Sequence, residues 1–318
     1  MNWLSGKKLL ITGACSFVGR HLVHYLLSQE NADTFSLILC CKDRQKAKRY
    51  FDEKKVLLVQ ADLREPESYS TIFKHHPDIV IHLAAIARFK DGEKDPEAAV
   101  RVNFIGSVKL MEMAEKFGVT KFLFVSSNLA RHPEGVTGFT KYLTEVYIQR
   151  RVGKMEVVSI RLPNVMDSPG AVTLIFKRQI EKDEPITITD KRMSRKFITP
   201  EMAAEQLLFA LEHGKNKDVI INNRPSTPIV ELAKQMMKNL GKRVPVVFIG
   251  ARPGEKLSEE DYPLDSIKPV GHQELFVLKE NQYGQEQVNT ILNKLSPRIS
   301  KKVMREIELV LTNINEVS

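Results

Sequence analysis

Short apolar runs alternate with longer stretches in which apolar residues recur at helical spacing, and this alternation organises the first half of the chain. The run Leu9-Leu10-Ile11 breaks at Thr12-Gly13-Ala14-Cys15-Ser16, after which Val18, Leu22, Val23, Leu26 and Leu27 fall on one helical face. That is a strand, a tight turn and a helix. Phe35 to Cys41, Val56 to Gln60, Ile79 to Leu83 and Lys121 to Val125 read as further strands. Pro96 to Phe117 reads as one long helix with Val100, Phe104, Val108, Leu110, Met111 and Ala114 on its apolar face, ended by Gly118.

Strand and helix alternate five times, which predicts an α/β chain with a Rossmann-like, doubly wound parallel sheet and ligands at the carboxyl ends of its strands. We expect this domain to span 1–165 and to be rejoined by 195–226. Residues 166–194 and 227–318 then make a smaller, discontinuous substrate-binding domain, in which Ser300 to Asn313 reads as an amphipathic helix.

The 318 residues carry 48 Lys and Arg against 39 Asp and Glu, a net charge of +9 that suits phosphorylated ligands. The basic residues are scattered among acidic ones, and neither zinc spacing nor an aromatic ladder accompanies them, so no nucleic acid partner is expected. Three cysteines, an odd number, predict reduced thiols and a cytoplasmic protein. Cys40 and Cys41 are adjacent rather than spaced as ligands, and no metal is expected. No secretory leader and no apolar run of bilayer length is read, so no membrane partner is expected; a homo-oligomer is.

The dinucleotide fingerprint sets three glycines at intervals of three, for the turn, for close approach of the phosphates and for helix-strand packing. Here the set is Gly13, Ser16 and Gly19, with Phe17 and Val18 opening the helix whose amides would face a pyrophosphate. Lys42 and Arg44 follow the second strand, where the adenosine ribose lies; cations there favour NADP, and Asp43 keeps NAD open. Asp62, before Leu63, could accept from the adenine amino group or cap the next turn. Leu83, Ala84 and Ala85 end the fourth strand with the small residues that a flat ligand needs, while His82 reads as a core histidine. Asn103, polar beside Gly106, reads as a brace for the active-site backbone and a cofactor contact.

The order of Thr12-Gly13, Asp62-Leu63, His82-Leu83-Ala84-Ala85, Asn103-Phe104-Ile105-Gly106, Ser126-Ser127 and Lys141 resembles the extended short-chain dehydrogenase/reductases. Arg161-Leu162-Pro163-Asn164-Val165, Pro185 to Asp190, Met193 to Thr199 and Arg252-Pro253-Gly254-Glu255-Lys256-Leu257 narrow the resemblance to the polysaccharide-biosynthesis branch, whose members include UDP-N-acetylglucosamine 4,6-dehydratases (inverting). It runs from about Lys7 to Glu260. Read as a nucleotide-sugar site, Arg195 and Arg252 can pair with a diphosphate, Glu255 can accept from ribose hydroxyls, and Asn164 can donate to a phosphate or bond a sugar hydroxyl. The resemblance adds backbone near Ala171 and Val172 to the uridine contacts.

The resemblance also implies a Tyr-x-x-x-Lys pair, in which the lysine charge lowers the tyrosine pKa so that it can act as base. Here Thr137 holds the tyrosine position and Lys141 alone is kept. Some dehydratases of this branch use an Asp-Lys pair after the fifth strand instead, but this chain has Ser127-Asn128-Leu129 there. His132 and Glu134 are candidate substitutes. Two expectations follow. One is an NADP-dependent epimerase or dehydratase of UDP-hexoses in polysaccharide or surface-glycan biosynthesis, with Lys141, Ser127 and Thr137 as catalytic residues. The other is a degraded NADP- and UDP-sugar-binding regulator or partner of an active paralogue.

Overall fold

The computed structural model describes residues 1–250, 257–279 and 283–313. The first half delivers β1 (Lys8–Thr12), α1 (Phe17–Leu27), β2 (Ser36–Cys41), α2 (Arg44–Lys48), β3 (Leu57–Gln60), α3 (Tyr69–Phe73) and β4 (Ile79–His82). Then come α4 (Phe89–Lys94), α5 (Pro96–Val100), α6 (Gly106–Lys116), β5 (Lys121–Ser127), α7 (Val136–Arg150), β6 (Glu156–Leu162) and β7 (Asn164–Val165). The second half adds α8 (Val172–Glu181), β8 (Ile186–Ile188), β9 (Ser194–Arg195), β10 (Phe197–Ile198), α9 (Pro200–His213), β11 (Val219–Asn222), β12 (Thr227–Pro228) and α10 (Ile229–Asn239). It ends with β13 (Val246–Phe248), β14 (Ile267–Pro269), β15 (Leu275–Leu278), α11 (Gln285–Leu295) and α12 (Lys301–Asn313).

A nine-stranded sheet runs β3-β2-β1-β4-β5-β6-β11-β15-β14. Its first seven strands are parallel, β15 runs antiparallel beside β11, and β14 pairs antiparallel with β15. The chain winds outward in both directions from β1 and β4, so the crevice at their carboxyl ends is the switch point where such folds bind ligands. Alternate strand residues feed opposite cores. Leu10, Val80, Phe122 and Phe124 pack on one face, and Leu9, Ile11, Ile81 and Leu123 on the other.

Two sequence expectations are redrawn. The stretch from Pro96 to Phe117 is not one regular helix, because a π-helical turn at Arg101–Ile105 separates α5 from α6. It leaves the Asn103 carbonyl to accept from the Ser107 and Thr144 hydroxyls at 2.7 and 3.1 Å. The C-terminal segment expected in the substrate domain lies with the main sheet instead. β14 and β15 extend that sheet, and Val288, Ile291, Leu295, Val303 and Ile307 of α11 and α12 join the core of Phe104, Val136 and Phe139. This cover explains why α7 is buried from Val136 through Ile148, its polar residues Thr137, Thr140, Lys141, Thr144 and Glu145 included. A smaller core of Phe176, Ile180, Ile186, Ile188, Met193, Phe197, Ile229 and Leu232 holds α8, α10 and the short strands between them.

His82 ties the switch point together. Its Nδ1 lies 2.6 Å from Thr12 Oγ1 and its Nε2 2.8 Å from Ser107 Oγ. Ser107 gives its single hydrogen to the Asn103 carbonyl, so Nε2 is the donor and Nδ1 the acceptor. Burial pushes the imidazole pKa down to about 3, with Lys141 adding to the shift. A folded pKa below the unfolded value means that stability is complete above about pH 6.5 and is lost as pH falls towards 3. Between pH 6.5 and 5 this amounts to about 2 kcal/mol. His82→Gln should flatten that part of the curve, as read from melting temperature against pH; an unchanged slope would contradict the assignment.

Candidate functional site

Ser16 caps α1, its Oγ accepting the Gly19 amide at 3.1 Å. The middle residue of the fingerprint therefore consumes one of the amides that would face a phosphate. Gly13 has φ +69°, and a Cβ there would stand 2.6 Å from the Ala84 nitrogen. A Cβ on Gly19 would stand 2.4 Å from the Gly13 carbonyl. Both glycines are thus required for the loop to nest between β1, α1 and the end of β4. Phe17, Val18, Leu83, Ala84 and Ala85 are half-buried around it, as residues lining a cleft would be.

The charges at the ribose end pair differently from the expectation. Arg44 turns to Glu53 at 2.8 Å, and Asp43 caps α2 through the Lys46 amide. Lys42 pairs with Asp62 at 3.3 Å, and Arg64 forks onto the same carboxylate at 2.5 to 3.1 Å. Arg64, then the Lys42 ammonium, hold the Asp62 carboxyl well below the usual range. The two cations facing this end are therefore Lys42 and Arg64; the second was not singled out in the sequence, because its role depends on which way Arg44 turns.

Asn103, expected at the cofactor, is fully enclosed. Its Oδ1 accepts from the Ile86 amide at 2.7 Å, and its Nδ2 donates to the Ile86 carbonyl and to Thr140 Oγ1. It braces the loop after β4 against α7 and has no surface left for a ligand.

Thr137 and Lys141 sit one turn apart on α7. Thr137 is 2% exposed, its Oγ1 has no hydrogen-bond partner among the described residues, and that atom would lie 2.6 Å from a Cβ on Gly92 of α4. The expectation that Thr137 is a catalytic residue is corrected here, because its hydroxyl backs onto α4. Lys141 is 5% exposed and donates from Nζ to the Val125 carbonyl at 2.7 Å. Burial pushes its pKa down to about 8, against the opposing pull of Glu145. Ser127, half-buried at the end of β5, accepts the Leu129 amide on its Oγ at 3.3 Å. His132 and Glu134 stand exposed on the loop before α7, and Tyr142 and Tyr147 are buried in the core.

Below Lys141 lies a buried ion pair. Arg161 Nη2 meets Glu145 Oε2 at 2.6 Å, with Ser126 Oγ and Tyr283 OH donating to the same carboxylate at 2.5 and 2.6 Å. Tyr262 OH accepts from Arg161 Nη1 at 3.0 Å. Burial, then Glu145, raise the Tyr283 pKa well above normal.

On the substrate side, Asn164 is exposed at the start of β7, and Arg195 on β9 donates to the Ser194 and Leu257 carbonyls at 2.8 and 3.2 Å. Glu259, not foreseen, meets both: Asn164 Nδ2 at 3.0 Å and Arg195 Nε at 4.0 Å. Ala171 and Val172 start α8, half-buried. Arg252 and Glu255 lie outside the described residues. Among the described residues no three His, Cys, Asp or Glu side chains are grouped to hold a metal, and no helix is long and apolar enough to cross a membrane.

Residues 9–280 match the family described as polysaccharide biosynthesis protein. The chain is 31% identical over 274 residues to the probable polysaccharide biosynthesis protein EpsC of Bacillus subtilis, covering 81% of this chain and 45% of that one. It thus spans about half the length of EpsC and of the similarly matched capsular polysaccharide relative. It is 27% identical over 331 residues to a UDP-glucose 4-epimerase of Rickettsia felis, covering 98% and 97% of the two chains. A solved Thermus thermophilus UDP-glucose 4-epimerase complex with NAD superposes with TM-score 0.69 at 23% identity, over 81% of this chain and 91% of that one, a likeness of fold. By its sequence from β1 to beyond β15, the chain belongs to the polysaccharide biosynthesis protein family.

Proposed function

We propose that the protein is a nicotinamide-dependent epimerase or dehydratase of UDP-hexoses, cytoplasmic and homo-oligomeric, serving polysaccharide or surface-glycan synthesis. The observation that carries the reading is the conjunction at one switch point of the Gly13–Gly19 loop, the half-buried 83–85 segment and the buried Lys141 of α7, bonded to Val125 of β5. The named activities of the Rickettsia and Thermus relatives agree with it. A bound nicotinamide would supply the hydride acceptor. The loop fits a dinucleotide, because a side chain at Gly13 or Gly19 would fill the space needed for the tight turn. NADP is the proposed form, with Lys42 and Arg64 as its cations and NAD the competing one.

Lys141 orients the cofactor ribose and carries positive charge beside the reacting centre, and Ser127 passes a proton without storing one. A second reading, a binding protein without turnover, is favoured by one observation: Thr137 is walled off behind Gly92. Incubating the protein with NADP or NAD and a panel of UDP-hexoses, with chromatographic separation of the epimers, product masses and nicotinamide absorbance as readouts, separates the two. We expect tighter NADP than NAD binding, erased in Lys42→Ala, Arg64→Ala, and slow conversion of a UDP-hexose. Binding of both ligands with neither a new epimer nor loss of water would establish the second reading, and binding of neither would remove both.

A further inference from the structure

Residues 257–262 lie as a strap across the carboxyl ends of β5 and β6. Arg131 donates to the Glu260 and Asp261 carbonyls at 2.5 and 3.1 Å, Lys196 pairs with Asp261 at 2.8 Å, and Ser226 Oγ donates to the Glu259 carbonyl at 2.5 Å. The backbone on both sides of the Glu259 side chain is therefore fixed. Its carboxylate accepts Asn164 Nδ2 at 3.0 Å on Oε1, and on Oε2 both Asn128 Nδ2 and the Lys196 amide at 3.2 Å.

These contacts decide what the two asparagines can offer a ligand. The Asn164 nitrogen also touches the Lys196 carbonyl at 3.0 Å. A carbonyl and a carboxylate only accept, so the atom facing both must be the NH2 group, and both of its hydrogens are consumed. Asn164 has only its Oδ1 left. The same logic orients Asn128 by its contact with the carboxylate, leaving an Oδ1 that has no partner among the described residues. A buried acceptor without a donor costs free energy until something donates to it.

A phosphate oxygen needs donors and is repelled by a carboxylate. A sugar hydroxyl or amide N–H can donate to what remains. We infer that Glu259 is a positioning residue that turns Asn164, and with it Asn128, into acceptors, so that this part of the cleft selects the hydroxyl donors of a hexose and the diphosphate binds elsewhere. The inference rests on the nucleotide-sugar reading above and, of the two roles expected for Asn164, takes the bond to a sugar hydroxyl over the donation to a phosphate.

The test measures UDP and UDP-glucose binding by calorimetry to wild type, Glu259→Gln and Asn164→Ala, with melting temperature as a check of folding. In Glu259→Gln the new amide must face one asparagine NH2 group, which turns and puts its donors in the cleft. UDP-glucose affinity should fall about tenfold, the loss of one or two hydrogen bonds, while UDP affinity changes less than about twofold. Asn164→Ala, which removes one contact of the strap but leaves Glu259 held by Asn128 and the Lys196 amide, should show the same split. Equal losses for UDP and UDP-glucose would make Glu259 a mere clasp, a gain for UDP would make it a competitor of the diphosphate, and no change in either would remove its role; each overturns the inference alone. A wild type that binds neither ligand overturns the nucleotide-sugar reading and the inference with it.

Discussion

Replacing Arg161 by methionine should lower the unfolding free energy by about 3–5 kcal/mol, the usual consequence of stranding one partner of a buried ion pair. Glu145 is wholly enclosed and Arg161 is 5% exposed, so water cannot solvate the carboxylate that remains. Two hydroxyls, Ser126 and Tyr283, still donate to it, which keeps the loss within that range rather than above it. The double variant Glu145→Leu, Arg161→Met should recover part of the loss, since no charge is then buried, but not all of it, because Ser126, Tyr262 and Tyr283 lose their partner. Urea titrations of the three variants measure this. A single variant within 1 kcal/mol of wild type would mean that the pair is solvated in solution.

How much was legible depended on whether the determining contacts are local. The loop from Gly13 to Gly19 could be read because a small-residue turn between an apolar run and a helical face specifies its own geometry. Lys141 could be placed because its helix is continuous with the segment that follows β5. The pairing of Glu145 with Arg161 was not legible. An acidic residue on a helix reads as solvated until α11 and Tyr283 are known to cover it. Thr137 was misjudged for the same reason, since it is Gly92, far back in the chain, that closes over it. Residues 267–278 were expected in the substrate domain and instead extend the main sheet, because two short antiparallel strands carry no signal of which sheet edge they join. Glu259 follows the Arg252 to Leu257 motif by two positions, and only the return of the strap to Asn128 and Asn164 reveals what it does.

Lys141→Met should make the protein more stable at pH 7 and remove its turnover. The folded pKa of about 8 lies below the ordinary lysine value of 10.5, so below pH 8 the ammonium is charged in both states and is destabilised by burial in the folded one. The difference corresponds to about 3 kcal/mol. Methionine fills a similar volume without the charge but forfeits the hydrogen bond to the Val125 carbonyl, which offsets about 1 kcal/mol of the gain. The net expectation is about 2 kcal/mol of added stability. The sign can be checked independently. Between pH 8 and 10.5 the unfolded chain holds this proton while the folded chain releases it, so wild-type stability should rise with pH across that window. The variant should lack that increment, which appears in the difference between the two stability curves, where the other lysines and the tyrosines cancel. A buried cation kept against a stability cost of this size is explained by a role in binding or chemistry. If Lys141→Met were instead less stable at pH 7 and left nicotinamide reduction unchanged, the ammonium would be a structural tie to Val125 and the proposed active centre would be misplaced.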